Sequence, residues 1–130
     1  MKTSLACRAL ALILAGAPIP ARAQGIADPG ERAFQYCFSC HSVDLHETAT
    51  LPGPNLFAII GRPIASQKGF RYSDALKAFA SKNNVWSAAL IERWMQNPQG
   101  LAPGSLMEKP PGPRTEADRK ALIGYLMKQH

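Results

Sequence analysis

The sequence predicts an all-α fold. Four segments pair a helix-opening residue with apolar positions at helical spacing, and no stretch alternates apolar and polar residues as a half-buried strand would. The connections are rich in Gly and Pro and too long for a plain helical bundle. The first helix opens at Asp28, with Pro29 in the first helical position and Glu31 three residues after the cap, and runs through Ala33, Phe34 and Cys37. Next comes an irregular stretch from Ser42 to Tyr72, punctuated by Pro52, Gly53, Pro54, Gly61, Pro63 and Gly69. Loops of this length are uncommon in compact domains unless they wrap something.

Ser73 caps the second helix, where Ala75, Leu76 and Phe79 share a face. Ser87 caps the third, with Leu90, Ile91 and Trp94 on one side and Pro98 at its end. Thr115, three residues before Asp118, opens the last helix in the [ST]-x-x-[DE] pattern. Its apolar face is Leu122, Ile123, Tyr125 and Leu126. There is no internal repeat.

Residues 1–23 are set apart from the fold. Lys2 and Arg8 give a positive start, "ALALILAGAPI" is a short apolar core, and Ala21-Arg22-Ala23 is a small-x-small cleavage signature. Gly16, Pro18 and Pro20 interrupt the apolar run, which is too short to span a bilayer. The expectation is a secretory signal over 1–23, carrying Cys7 away with it, and one mature domain over 24–130. Lys2, Arg8 and Arg22 leave with the signal, so the formal charge of +6 falls by three. The remaining charge is spread along the chain and gives no support for nucleic-acid binding. No second apolar run reaches membrane length, so the mature chain reads as soluble and exported to the periplasm.

A domain this small buries a modest core and often needs a disulfide, metal or cofactor. Of the cysteines, Cys37 and Cys40 remain after export. A disulfide between them would close a loop of four residues and restrain the unfolded chain very little. Three chemistries use such a pair. A thioredoxin-like dithiol sits at a helix start after a strand, and no such strand is present. Zinc needs four ligands, and neither His46 nor His130 completes a recognised second pair. Haem explains more: in Cys37-x-x-Cys40-His41 the thiols add to the vinyl groups on one porphyrin edge, and the adjacent imidazole turns to the iron. Export favours that reading, because covalent haem attachment takes place outside the cytoplasm. The motif by itself leaves zinc or a bare thiol pair as alternatives.

Several ordered motifs together point to a family. From about Asp28 to Gln129 the chain resembles the class I c-type cytochromes, monohaem electron carriers related to mitochondrial cytochrome c. "CFSCH" is similar to the haem attachment site, and "GPNL" from Gly53 resembles the segment whose proline carbonyl, here that of Pro54, accepts the proximal histidine's ring N–H. Arg62, Tyr72 and Trp86 match the donors used around a buried propionate. "PGSLM" resembles the loop that delivers a methionine ligand, and "LIGYL" the C-terminal helix that crosses the first helix near Gly30. The resemblance implies four or so helices and long loops wrapped round one haem c, attached through Cys37 and Cys40.

The resemblance implies His41 and Met107 as the iron ligands. Met107 follows His41 by 66 residues, room for the chain to go round the haem. Met95 and Met127 lie in helical patterns and read as core filler, whereas the segment around Met107 has no such periodicity. His46 is five residues past His41, a span of at most about 17 Å that would have to round the macrocycle. His130 and Lys109 are weaker alternatives. Leu76 stands where many relatives carry a polar residue, Trp94 where tyrosine is common, and Lys109 where an aromatic is usual. These departures leave the hydrogen bonding at Met107 open.

With His and Met both bound, the iron has no position for a substrate, which makes the protein a one-electron carrier rather than an enzyme. It would shuttle electrons between exported redox proteins or accept them from a dehydrogenase, as a monomer or as a subunit of a redox complex. The alternative is a gas-binding or peroxidatic haem protein with a labile sixth ligand, supported by the unusual segment after Met107. If the fold is the family's, Tyr36, Phe38 and Leu106 border the exposed haem edge as an apolar docking patch.

Overall fold

The computed structural model describes residues 28–107, 112–113 and 115–130. The expected signal over 1–23 and the position of Lys109 lie outside them. The helices are α1 (Pro29–Phe34), α2 (Asp74–Ala80), α3 (Ala88–Gln96), α4 (Pro98–Leu101) and α5 (Glu116–Leu126). Among the described residues there is no strand, only one isolated antiparallel bridge between Pro63 and Val85.

All four expected N-caps form. Asp28 Oδ1 accepts from the Gly30 amide at 2.7 Å, Ser73 from Leu76 at 3.2 Å, Ser87 from Leu90 at 3.1 Å and Thr115 from Asp118 at 3.1 Å. Each satisfies an amide that the helix leaves unbonded and contributes about 1 kcal/mol. One helix was not expected. Pro98 ends α3 but also opens the single turn α4, because Asn97 Oδ1 accepts from the Gly100 amide at 2.8 Å.

Helices α1 and α5 form the main helix pair. They cross where Gly30 has no side chain: a Cβ there would lie 2.5 Å from Tyr125 Cβ and would overlap the Ala121 carbonyl. Phe34 and Tyr125 stack across the crossing with ring centroids 5.6 Å apart, and Lys128 Nζ reaches Asp28 Oδ2 at 3.2 Å. Leu122 of α5 is 1% exposed, and burying such a side chain is worth roughly 1.5–3 kcal/mol. Helix α3 packs on α5 through the buried face of Leu90, Ile91 and Trp94. Phe79, Trp86 and Trp94 form an aromatic cluster with centroids 5.2 to 6.3 Å apart. Met127 corrects one expectation: it is exposed at the C-cap of α5 and fills no core.

Candidate cofactor site

A cleft, partly open to solvent, runs between these elements. The lining is mostly apolar: Phe34, Leu56, Ile59, Leu76, Ile91 and Leu126 are among it. Set into these walls are Cys37, His41, Pro54, Arg62, Tyr72, Trp86, Trp94 and Met107. All but one of the site residues expected from sequence meet here. The exception is Cys40, which is exposed and lines an adjoining cleft together with Cys37, His41 and Met107.

The thiols and the histidine are placed by an extension of α1. Phe38 N bonds Phe34 O at 3.1 Å, Cys40 N bonds Cys37 O at 3.0 Å, and His41 N bonds Cys37 O at 2.9 Å. These helical turns bring positions 37, 40 and 41 to one side of the chain. Burial pushes the Cys37 thiol up to about 11, with the neighbouring Cys40 adding to the effect.

His41 is held from behind. Its Nδ1 lies 2.7 Å from Pro54 O, and since a carbonyl can only accept, Nδ1 carries the proton. Nε2 therefore keeps its lone pair, the state a metal requires. Burial holds the His41 pKa below its usual value, outweighing the Pro54 bond, which acts the other way. The imidazole is thus neutral near pH 7. The loop bearing Pro54 is pinned to the histidine's own strand of chain by Gly53 N to Cys40 O at 2.8 Å and Leu56 N to Ser42 O at 2.7 Å. Gly53 is required here: a Cβ would overlap the imidazole, 2.6 Å from Nδ1.

Arg62 and Trp86 are neighbours because Trp86 N bonds Arg62 O at 2.9 Å and Gly61 N bonds Trp86 O at 2.8 Å. The Arg62 guanidinium is half-buried and donates to Asn55 O at 2.6 Å and Phe57 O at 3.0 Å. Burial lowers its pKa, and Tyr72 opposes this. Its acceptors here are neutral carbonyls, so an anionic group on the ligand would complete it. The Tyr72 hydroxyl accepts from the Gln67 amide at 3.2 Å and keeps its own proton to donate.

Trp94 resolves the hydrogen bonding that the sequence left open. Its indole Nε1–H donates to Met107 Sδ at 2.9 Å. Leu76 supplies an apolar wall. Met95 also lines the cleft, but it sits on α3 against the core. The sequence reading missed Gln99, whose side chain grips the segment leading to Met107. The Asn97-Pro98 pair, a cap followed by a first-turn proline, was the available sign that this residue sits on a helical turn. His46 and His130 are exposed and line neither cleft. Tyr36 and Leu106 border the adjoining cleft beside Cys40, while Phe38 is exposed outside it.

An apolar cleft with one thiol in its wall and a second at the adjoining opening, a neutral imidazole presenting Nε2, a thioether and a half-buried cation is a donor set that fits haem c. No protein-family model matches the chain. Among curated proteins it is 40% identical over 78 residues to cytochrome c-550 of Ancylobacter novellus, covering 60% of this chain and 72% of that one. It is 38% identical over 107 residues to cytochrome c-550 of Paracoccus versutus, covering 76% and 68%. With cytochrome c2 of Rhodomicrobium vannielii the identity is 31% over 127 residues, covering 95% and 98%. The chain belongs to the class I c-type cytochromes, electron-transfer proteins that carry one covalent haem c.

Proposed function

We propose that this cytochrome is an exported one-electron carrier, with its haem attached at Cys37 and Cys40 and its iron held by His41 and Met107. When bound, haem c supplies the Fe(II)/Fe(III) couple for outer-sphere transfer. The chain's residues supply the rest. His41 presents Nε2 because Pro54 O holds the proton on Nδ1. The observation that carries the reading is that this fixed imidazole and the Met107 thioether line one apolar cleft with Cys37. A thioether sulfur has two lone pairs, so Met107 can accept the Trp94 N–H and still offer the other pair to a metal. Arg62, Tyr72 and Trp86 would meet a propionate.

Export to the periplasm rests on the expected signal over 1–23, which would leave 24–130 as the working domain. Redox partners would dock at the mouth of the cleft beside Cys40, where Tyr36 and Leu106 lie, with Phe38 exposed nearby. The test is Met107→Ala. The haem should stay covalently attached, the methionine–iron charge-transfer band should vanish, the potential should fall, and carbon monoxide or cyanide should gain access. An unchanged spectrum and potential would remove Met107 as ligand. Free access of these ligands in the unsubstituted protein would instead favour the gas-binding or peroxidatic reading.

A further inference from the structure

The segment that presents Met107 is not a helix, and helical hydrogen bonds do not hold it. Among the described residues, one side chain bonds its backbone at Gly104, Ser105 and Met107. Asn97 caps α4 and Pro98, fully buried, anchors it, so Gln99 projects from a fixed turn. Gln99 Nε2 lies 2.8 Å from Ser105 O, 3.0 Å from Met107 O and 3.1 Å from Ser105 Oγ. Its Oε1 accepts from the Gly104 amide at 3.0 Å. The amide thus uses both its donor and its acceptor ends, bonding the backbone on either side of Leu106 and at Gly104. Ser105 itself is buried, its amide bonds Ala102 O at 2.9 Å and its hydroxyl lies 3.5 Å from Met107 O, so Gln99 makes the shorter bond to the Met107 carbonyl.

We propose that Gln99 is a positioning residue for the sixth ligand: it holds residues 104–107 closed so that the Met107 thioether stays committed to the iron. This rests on the reading of Met107 as ligand. Gln99 lines neither cleft; it acts through the backbone of Met107. Trp94 fixes the sulfur and Gln99 fixes the chain that carries it, and the two contacts come from different helices. Removing the amide leaves the Ser105 carbonyl and the Gly104 amide without this partner and Met107 O with the 3.5 Å Ser105 hydroxyl, which loosens the segment.

The experiment measures how fast imidazole displaces the native ligand in the ferric holoprotein. Gln99→Leu keeps the bulk and removes both polar ends. Its resting spectrum should retain the methionine–iron band, while the displacement rate rises about tenfold or more, as expected for the loss of several partly buried hydrogen bonds. Thr115→Ala, which removes the α5 cap far along the chain, controls for general loss of stability. It should lower the thermal midpoint and leave the imidazole rate unchanged. Gln99→Glu is the second variant, should Gln99→Leu not fold. It can still accept from Gly104 but cannot donate to the carbonyls, and it too should speed displacement. An unchanged rate in the Gln99 variants, or an equal acceleration in Thr115→Ala at matched stability, would overturn the proposal. If Met107→Ala itself leaves the spectrum intact, the ligand reading fails instead, and the two failures are distinguishable.

Discussion

The Trp94 indole N–H points at the Met107 sulfur, 2.9 Å away. The contact links α3 to a loop residue 13 positions later and is held by the packing of Trp94 against Phe79 and Trp86. A donor on a thioether withdraws electron density and weakens it most as a ligand for Fe(III), so with Met107 as the proposed ligand the bond would favour the reduced state. Trp94→Phe keeps a ring in the cluster and removes the N–H. The reduction potential should fall by an amount on the order of tens of millivolts, given the usual net worth of one hydrogen bond. Voltammetry checks this, and a rise in potential would refute the assigned direction.

The thiols should be needed for a folded protein. The cleft is lined by apolar side chains of α1, α3 and α5, so an apolar occupant would give these helices a shared core. Cys37→Ala or Cys40→Ala should each sharply lower the yield of holoprotein, and the double variant should be largely unfolded by circular dichroism. A folded, colourless double variant would count against the cofactor as the organiser of the fold.

Gly53→Ala tests the backing of His41. The new methyl would meet the imidazole, 2.6 Å from Nδ1, and force the ring or the Pro54 loop to move. Overpacking of this kind costs typically 1–3 kcal/mol. The thermal midpoint should drop and the Nδ1 proton should lose its slow exchange in nuclear magnetic resonance spectra. A variant with both properties intact would show that the loop yields freely.

Acid should weaken the α1–α5 clasp. The Asp28 carboxylate accepts from the Gly30 amide and from Lys128, and these bonds hold its pKa below the usual aspartate value. A lowered folded pKa means stability that is present above the unfolded value, near 3.9, and is lost as pH falls through the folded value. The difference in thermal midpoint between Asp28→Asn and the parent should therefore be largest near neutrality and close in acid. A difference independent of pH would show that the charge is irrelevant.

Docking should depend on apolar contact more than on charge. Tyr36, Phe38 and Leu106 are 52%, 58% and 74% exposed, and two of them border the cleft beside Cys40. Electron-transfer rates to the physiological partner should change little from low to physiological salt, while Leu106→Lys should slow them. A steep fall in rate with added salt would point to steering by lysines instead.

The sequence by itself determined where the chain becomes helical. Capping residues and apolar spacing act within one or two turns, so Asp28, Ser73, Ser87 and Thr115 mark helix starts wherever the helices end up. It also supplied the attachment motif, because Cys37, Cys40 and His41 are brought together by local turns. The Pro54 contact to His41 was readable through the resemblance, which carries a long-range pairing that no local pattern encodes. Only the tertiary structure decided how the methionine is held. Met95 and Met107 both reach the cleft, but Met107 alone of the two has the Trp94 N–H on its sulfur and the Gln99 amide on its carbonyl among the described residues. Those contacts join α3, α4 and a loop, and their geometry depends on how an aromatic cluster packs and how a single helical turn aims one side chain. Neither is a periodicity: Asn97-Pro98 marks the turn that carries Gln99, but where its side chain reaches is set by the packing.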